Sequence, residues 1–303
     1  MKKIFPAVAI ALTLALGSST ADAARYFMQG DKPGSSTPYG DNLKVGKCAQ
    51  ADDAKIYYEV YGKGAPILIL HGGGVGSPYE LGKILDELKK SHKLIVMSTR
   101  GHGRSEIGHS PMTYKQKADD ALAVLDDAKI SAPVQILGFS DGAYTAYEIA
   151  ALYPERVERI TAIGAGTLQA GYFSGEMKLS DLEAIDKKFV DEQKKIRPEP
   201  ERWQEFCNAY MDFWTKHSVG AETFSKIKCP VLLIVGDEDD HAPVITVLAA
   251  HQLIENSRLC VVPKAWHSAF LDNYDVTATA IFQFINAPRE TLTPSKKVDT
   301  NNR

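Results

Sequence analysis

Cysteine is scarce in this chain, with four in 303 residues and no C-x-x-C pair. That excludes a disulfide-built scaffold and leaves a zinc ribbon or a dithiol redox motif without ligands. Cys229 and Cys260 lie in or beside apolar runs and read as small buried side chains, while a Cys48–Cys207 bridge stays open. Excess charge of one sign is also missing. Lys and Arg number 35 against 38 Asp and Glu, a net charge of −3, and the cations are scattered. No basic stripe exists for nucleic acid to bind. His102, His109, His241 and His251 are dispersed without metal-ligand spacing. Beyond the N-terminus no apolar run approaches the roughly 20 residues that a membrane span needs. The expectation is a chain without metal, cofactor, nucleic acid or membrane partner, acting on a small molecule.

What is present begins at the N-terminus. Lys2 and Lys3 precede an apolar run at 4–16, and small residues lead to Ala21-Asp22-Ala23. A charged start, a short apolar stretch and an A-x-A site read as a secretory signal peptide at 1–23, cleaved after Ala23. The run is too short for an anchor, and no Cys follows it to carry a lipid. The mature protein is therefore expected in the periplasm or outside the cell.

Residues 24–44 are rich in Gly, Pro, Ser and Asp without periodicity and read as a flexible leader. A strand pair follows at 45–50 and 55–61. Continuous apolar runs then recur at 66–70, 93–98, 134–137, 159–163, 231–235 and 258–262, separated by amphipathic stretches. Strands buried on both faces look this way, so the fold class is α/β, with a mostly parallel central sheet covered by helices on both faces. The core domain spans 45–167 and 226–286. Between its two parts, 168–225 carries helical patterns split by Pro198 and Pro200, and reads as a small helical cap. Trp203, Phe206, Tyr210, Phe213 and Trp214 recur there at helical spacing. The stripe serves to pack the cap, and Trp203, Phe206 and Tyr210 are candidates to line an apolar substrate pocket. The polar tail at 287–303 is expected to be disordered.

The chemistry sits in three places. Gly138-Phe139-Ser140-Asp141-Gly142 is a G-x-S-x-G motif running from a buried strand into a helix. Such a turn lifts the Ser hydroxyl above the sheet edge, and the glycines leave room for the bend. The backbone N–H of Asp141, at a helix N-terminus, can face a developing oxyanion. His71-Gly72-Gly73-Gly74 follows a strand and can supply a second donor, Gly73. It does not complete a phosphate loop, because no Lys-Ser/Thr follows. A Ser nucleophile needs a base and an orienting acid. His267 follows the last strand, and Asp237, Asp239 and Asp240 follow the one before it. All three acids are candidates, and the order is Ser, Asp, His.

From about Val45 to Ile285 the chain resembles the cap-bearing α/β-hydrolase superfamily. The resemblance rests on the His71 loop, Arg100-Gly101-His102-Gly103-Arg104-Ser105, the Ser140 turn, Gly236-Asp237-Glu238-Asp239 and Trp266-His267-Ser268. It implies the α/β-hydrolase fold and selects Asp239, three residues after the strand-ending Gly, as the acid. It also implies a structural role for the Arg100–Ser105 loop, where Thr99 replaces the family's usual Asp. The G-x-S-D-G variant looks like the esterase and valacyclovir-hydrolase-like branch. Ser in place of Asp at the nucleophile position argues against dehalogenases and epoxide hydrolases. The implied activity is carboxylic ester hydrolysis; amide, peptide or C–C cleavage on the same residues, and a non-catalytic binding protein on this scaffold, are the rivals.

Overall fold

The computed structural model describes residues 24–293, so the expected signal peptide and the tail beyond 293 lie outside the described residues. The chain opens with an antiparallel pair, β1 (Gly46–Ala51) and β2 (Ala54–Tyr61). Strand–helix alternation follows: β3 (Pro66–Leu70), α1 (Gly82–Leu88), β4 (Lys93–Met97), α2 (Tyr114–Asp127), β5 (Val134–Phe139), α3 (Asp141–Leu152) and β6 (Val157–Ile163). The cap holds α4 (Leu179–Ile185), α5 (Lys187–Ile196), α6 (Trp203–Lys216) and α7 (Ala221–Phe224). The core resumes with β7 (Val231–Gly236), α8 (Val244–Leu253), β8 (Ser257–Val262), α9 (Ala269–Asp272) and α10 (Tyr274–Ile285).

The eight strands form one sheet in the order β1-β2-β4-β3-β5-β6-β7-β8, parallel from β4 to β8. Alternation along the buried strands divides the core in two. Leu68 and Leu70 pack with residues of α2 and α3 on one face, and Ile67 and Ile69 with residues of α1 and α10 on the other. Each such aliphatic side chain, fully withdrawn from water, stabilises the fold by about 1.5–3 kcal/mol. Because both faces are covered, the strands need apolar residues at every position, which is why their sequences read as unbroken runs.

Two expectations of disorder are corrected. The segment at 24–44 is packed, not flexible. Tyr39 is 1% exposed, its hydroxyl hydrogen-bonds Asp86, and the N–H groups of Gly40 and Asn42 donate to the Glu59 carboxylate. Isolated aromatics anchor a string of turns there, a pattern without periodicity. The tail remains ordered through its first residues: Leu292 is buried, its carbonyl accepts from Asn256, and Arg159 donates to the Ala287 carbonyl. The cap is pinned at its base by a two-residue bridge between Leu168 and Val219. The Cys48–Cys207 bridge does not form; all four cysteines are free.

Candidate active site

Ser140 stands between β5 and α3 with φ 51° and ψ −119°, a conformation costly for any residue with a side chain. The neighbouring glycines make the bend feasible. A Cβ on Gly138 would come 2.6 Å from the Gly142 carbonyl oxygen, and one on Gly142 would come 2.4 Å from that of Leu70. The Ser140 N–H donates to the Ile163 carbonyl at 2.7 Å, which fixes the turn to the next strand.

His267, from the loop after β8, reaches the same point. Its Nε2 lies 2.9 Å from Ser140 Oγ, and its Nδ1 lies 2.9 Å and 3.0 Å from the two Asp239 carboxylate oxygens. The imidazole lies between the tilted ring of Phe139, at 4.9 Å between ring centroids, and the stacked ring of His241, at 4.7 Å. Of the three acids after β7, Asp239 is the one that meets His267. Asp237 instead accepts the Ala265 N–H, steadying the loop that carries the histidine, and Asp240 pairs with His241 at the surface. Burial pushes the Asp239 carboxyl up. The hydrogen bond and charge of His267, together with the N–H groups of Ala242 and His241, outweigh burial and hold it below the usual carboxylate value. Asp239 thus faces the imidazole ionised.

The side of Ser140 where the sequence leads one to expect oxyanion donors is lined by backbone. Asp141 is the first residue of α3, and the leading N–H groups of a helix have no acceptor within it. In the Gly-rich loop, the Gly72 N–H is taken by Glu80 Oε1 at 2.7 Å, while Gly73 lines the cavity above Ser140. Burial pushes the Glu80 carboxyl up to about 8, against the pull of the Gly72 and Ser77 N–H groups. His71 is structural. Its Nδ1–H donates to the Gly72 carbonyl, its Nε2 accepts the Thr99 N–H at 3.0 Å, and burial pushes it down to about 4. The hydroxyl of Thr99 also bonds His102, and Arg100 is paired with Asp120 and Asp53. The Arg100–Ser105 loop is accordingly a scaffold beneath the oxyanion loop.

The Asp141 side chain, although next to Ser140, is closed to a cationic ligand. It is 1% exposed and accepts Lys117 Nζ at 2.6 Å, the Tyr210 hydroxyl at 2.6 Å and Trp214 Nε1 at 3.3 Å. Lys117 is itself buried, which pulls its pKa down while Asp141 supports the charge. The signal for this pair was readable: Lys117 falls on the core-facing side of α2, with Tyr114, Ala118 and Ala121.

A cavity of about 760 Å³ opens above Ser140 and His267. Trp203, Phe206 and Tyr210 do not line it. All three are fully buried, with Phe206 and Tyr210 set edge-on against His102 and Arg197 lying over Trp203 at 4.0 Å. The helical stripe is real, but its partner is the Arg100–Ser105 loop. The neighbouring side of α6 supplies Met211 and Trp214 to the cavity, joined by Phe173, Met177 and Leu182. Residues 26–28 of the leader complete the wall, a contribution for which the sequence pattern gave no sign. Among the described residues, one group could present metal ligands close together, Asp239, His241 and His267, with ligand atoms within 4.8 Å. Two of its members, Asp239 and His267, are the ones hydrogen-bonded in line with Ser140.

Comparison with known proteins bears on the fold. A family model described as the α/β hydrolase fold matches residues 65–186. RutD of Azorhizobium caulinodans, a carbamate hydrolase by name, is 32% identical over 124 residues, an alignment covering 41% of this chain and 46% of RutD. The serine hydrolase BPHL of Homo sapiens is 24% identical over 293 residues, covering 88% of this chain and 99% of that protein. The crystal structure of a serine hydrolase involved in carbazole degradation, the CarC enzyme, superposes with a TM-score of 0.67 at 22% identity, covering 80% of this chain and 98% of that one.

Proposed function

We propose that this chain, which belongs to the α/β-hydrolase superfamily, is a serine hydrolase that cleaves a small carboxylic ester through an acyl-enzyme. The observation that carries the reading is the hydrogen-bonded sequence Ser140–His267–Asp239 at the floor of the cavity. Ser140 Oγ attacks the carbonyl carbon as His267 Nε2 takes its proton. The N–H groups of Gly73 and Asp141 hold the oxyanion, and removal of one such donor typically costs 10²–10³ in rate. His267 passes its proton to the departing alcohol. Water, deprotonated by the same nitrogen, then attacks the acyl-enzyme, and His267 returns that proton to Ser140 Oγ as the acid departs. Asp239 keeps the Nδ1 proton in place and stabilises the imidazolium at each stage.

The apolar walls at Phe173, Met177 and Trp214 favour an apolar acyl group, and an alkoxide leaves more readily than an amide nitrogen or a carbanion. The N-terminal pattern supports export from the cytoplasm, with Ala24 as the first residue of the mature chain. N-terminal sequencing of the exported protein checks that placement.

Labelling with a fluorophosphonate and mapping of the modified residue tests the core of the reading. Ser140 should carry the label, and Ser140→Ala should lose both label and ester turnover, with kcat down on the order of 10⁶-fold. A label on any other residue refutes the assignment. A parent protein that binds apolar esters without label or turnover is a binding protein on a hydrolase scaffold.

A further inference from the structure

The leader enters the cavity wall by an unusual route. Tyr26 is buried in the apolar cluster on the α1 and α10 side of the core. The next residue, Phe27, packs edge-on against Phe189 of the cap, at 5.4 Å between centroids. Consecutive side chains therefore go into different bodies, one into the core and one into the cap. Met28 follows with φ 60° and is 67% exposed, lining the same cavity as Ser140.

A single carboxylate fastens this arrangement. Asp186 accepts the Arg25 guanidinium at 3.1 Å and the Met28 N–H at 2.9 Å, and its other oxygen caps α5 through the Phe189 N–H at 3.0 Å. Both Arg25 and Asp186 are largely shielded from water. Asp186 itself does not line the cavity. Residues 25–28 are thus tied to the cap by charge, by hydrogen bond and by ring contact, and tied to the core through Tyr26.

We propose that Tyr26, Phe27 and Met28 form a strap that closes the outer end of the acyl pocket and sets the acyl chain length the enzyme prefers. The proposal rests on the hydrolase reading for its substrate, an ester of an unbranched aliphatic acid. The argument is one of contact. The same cavity is walled by the glycine loop and His267 beside Ser140 and by Phe27, Met28 and Leu182 elsewhere, so on this proposal an acetyl group fills the first part and a longer chain extends to the second. Each methylene buried there can raise kcat/KM by up to about fourfold. Without the strap, the distal methylenes meet water and the gain is lost.

The test compares p-nitrophenyl acetate with p-nitrophenyl octanoate in the parent, in Phe27→Ala/Met28→Ala and in Asp186→Ala. The octanoate-to-acetate ratio of kcat/KM should fall at least tenfold in both variants. Phe27→Leu/Met28→Leu, which keeps apolar bulk, should retain most of the parent ratio. An unchanged ratio in active variants overturns the strap and leaves the hydrolase reading intact. Octanoic and acetic acid binding to Ser140→Ala, measured by titration calorimetry with and without Phe27→Ala/Met28→Ala, reads the strap without any turnover. If no ester is hydrolysed, the hydrolase reading fails, and weaker octanoic acid binding on loss of the two side chains still supports the strap. Equal octanoic acid binding overturns it.

Discussion

On one side of Ser140, Asp239 faces the His267 imidazole, whose other nitrogen meets the Ser140 hydroxyl. On the other side, Asp141 faces the Lys117 amine, the Tyr210 phenol and the Trp214 indole, none of which reaches Ser140. Both carboxylates are buried and both are well supplied with donors. The difference lies in the partner. A carboxylate against His267 can follow a charge that comes and goes during a reaction. A carboxylate bonded to Lys117, Tyr210 and Trp214 ties three elements together. Here it holds α2, α3 and the cap helix α6 in register, with Trp214 reaching from the cavity wall to the nucleophile's own helix.

The sharpest way to break this comparison is to neutralise each acid in turn. Asp239→Asn should lower kcat by about 10⁴, the size of the effect when the acid of a Ser-His-Asp set becomes an amide and the wrong imidazole tautomer results. Asp141→Asn should lower kcat less than tenfold, measured on the same ester with circular dichroism confirming the fold. Equal losses would mean that the two acids share one role.

Stability should invert the order. Asp141→Asn leaves the Lys117 ammonium buried without its counter-charge, a loss of roughly 3–5 kcal/mol. Urea unfolding should show that loss, and Lys117→Met combined with Asp141→Asn should recover most of it. A double variant as unstable as the single one would show that the pair is not the unit.

A third carboxyl near Ser140, Glu80, has no cation and gives the smallest effect. Its folded-state pKa of about 8 stands above the ordinary value of about 4.3 for an unfolded chain. Between those values the folded state holds a proton that the unfolded state has released, so stability falls as pH rises through that window. Glu80→Gln removes this dependence. The Tm difference, variant minus parent, should become more positive from pH 5 to pH 8 by a few degrees and then level off. A difference that does not change with pH would place Glu80 among ordinary carboxylates.

Much of this site could be read from residue order. The unbroken apolar runs announced a parallel sheet, and the sheet in turn made Ser140 a turn residue and His267 a loop residue at the same rim. Local chemistry alone did not choose among Asp237, Asp239 and Asp240, because all three are acids in one short loop and only the backbone path separates them. The cap stripe was legible as a stripe, yet which body it meets depends on how α6 is rotated, so Trp203 and Trp214 exchanged the expected places. The leader was illegible for a different reason. Tyr26, Phe27 and Tyr39 sit among turns, and no periodicity connects them.

The backbone at Ser140 carries one more implication. Its φ of 51° is held by surroundings that over-determine it, at an expense of about 1–3 kcal/mol for a residue with a Cβ. Ser140→Gly would relax that strain, and even after glycine's larger conformational entropy in the unfolded chain, the variant should unfold at a temperature no lower than the parent's. The position is a point where durability and chemistry pull apart. Selection for heat resistance alone would tolerate glycine at this position, so the strain there is explained by what the hydroxyl does and not by what it contributes to the fold.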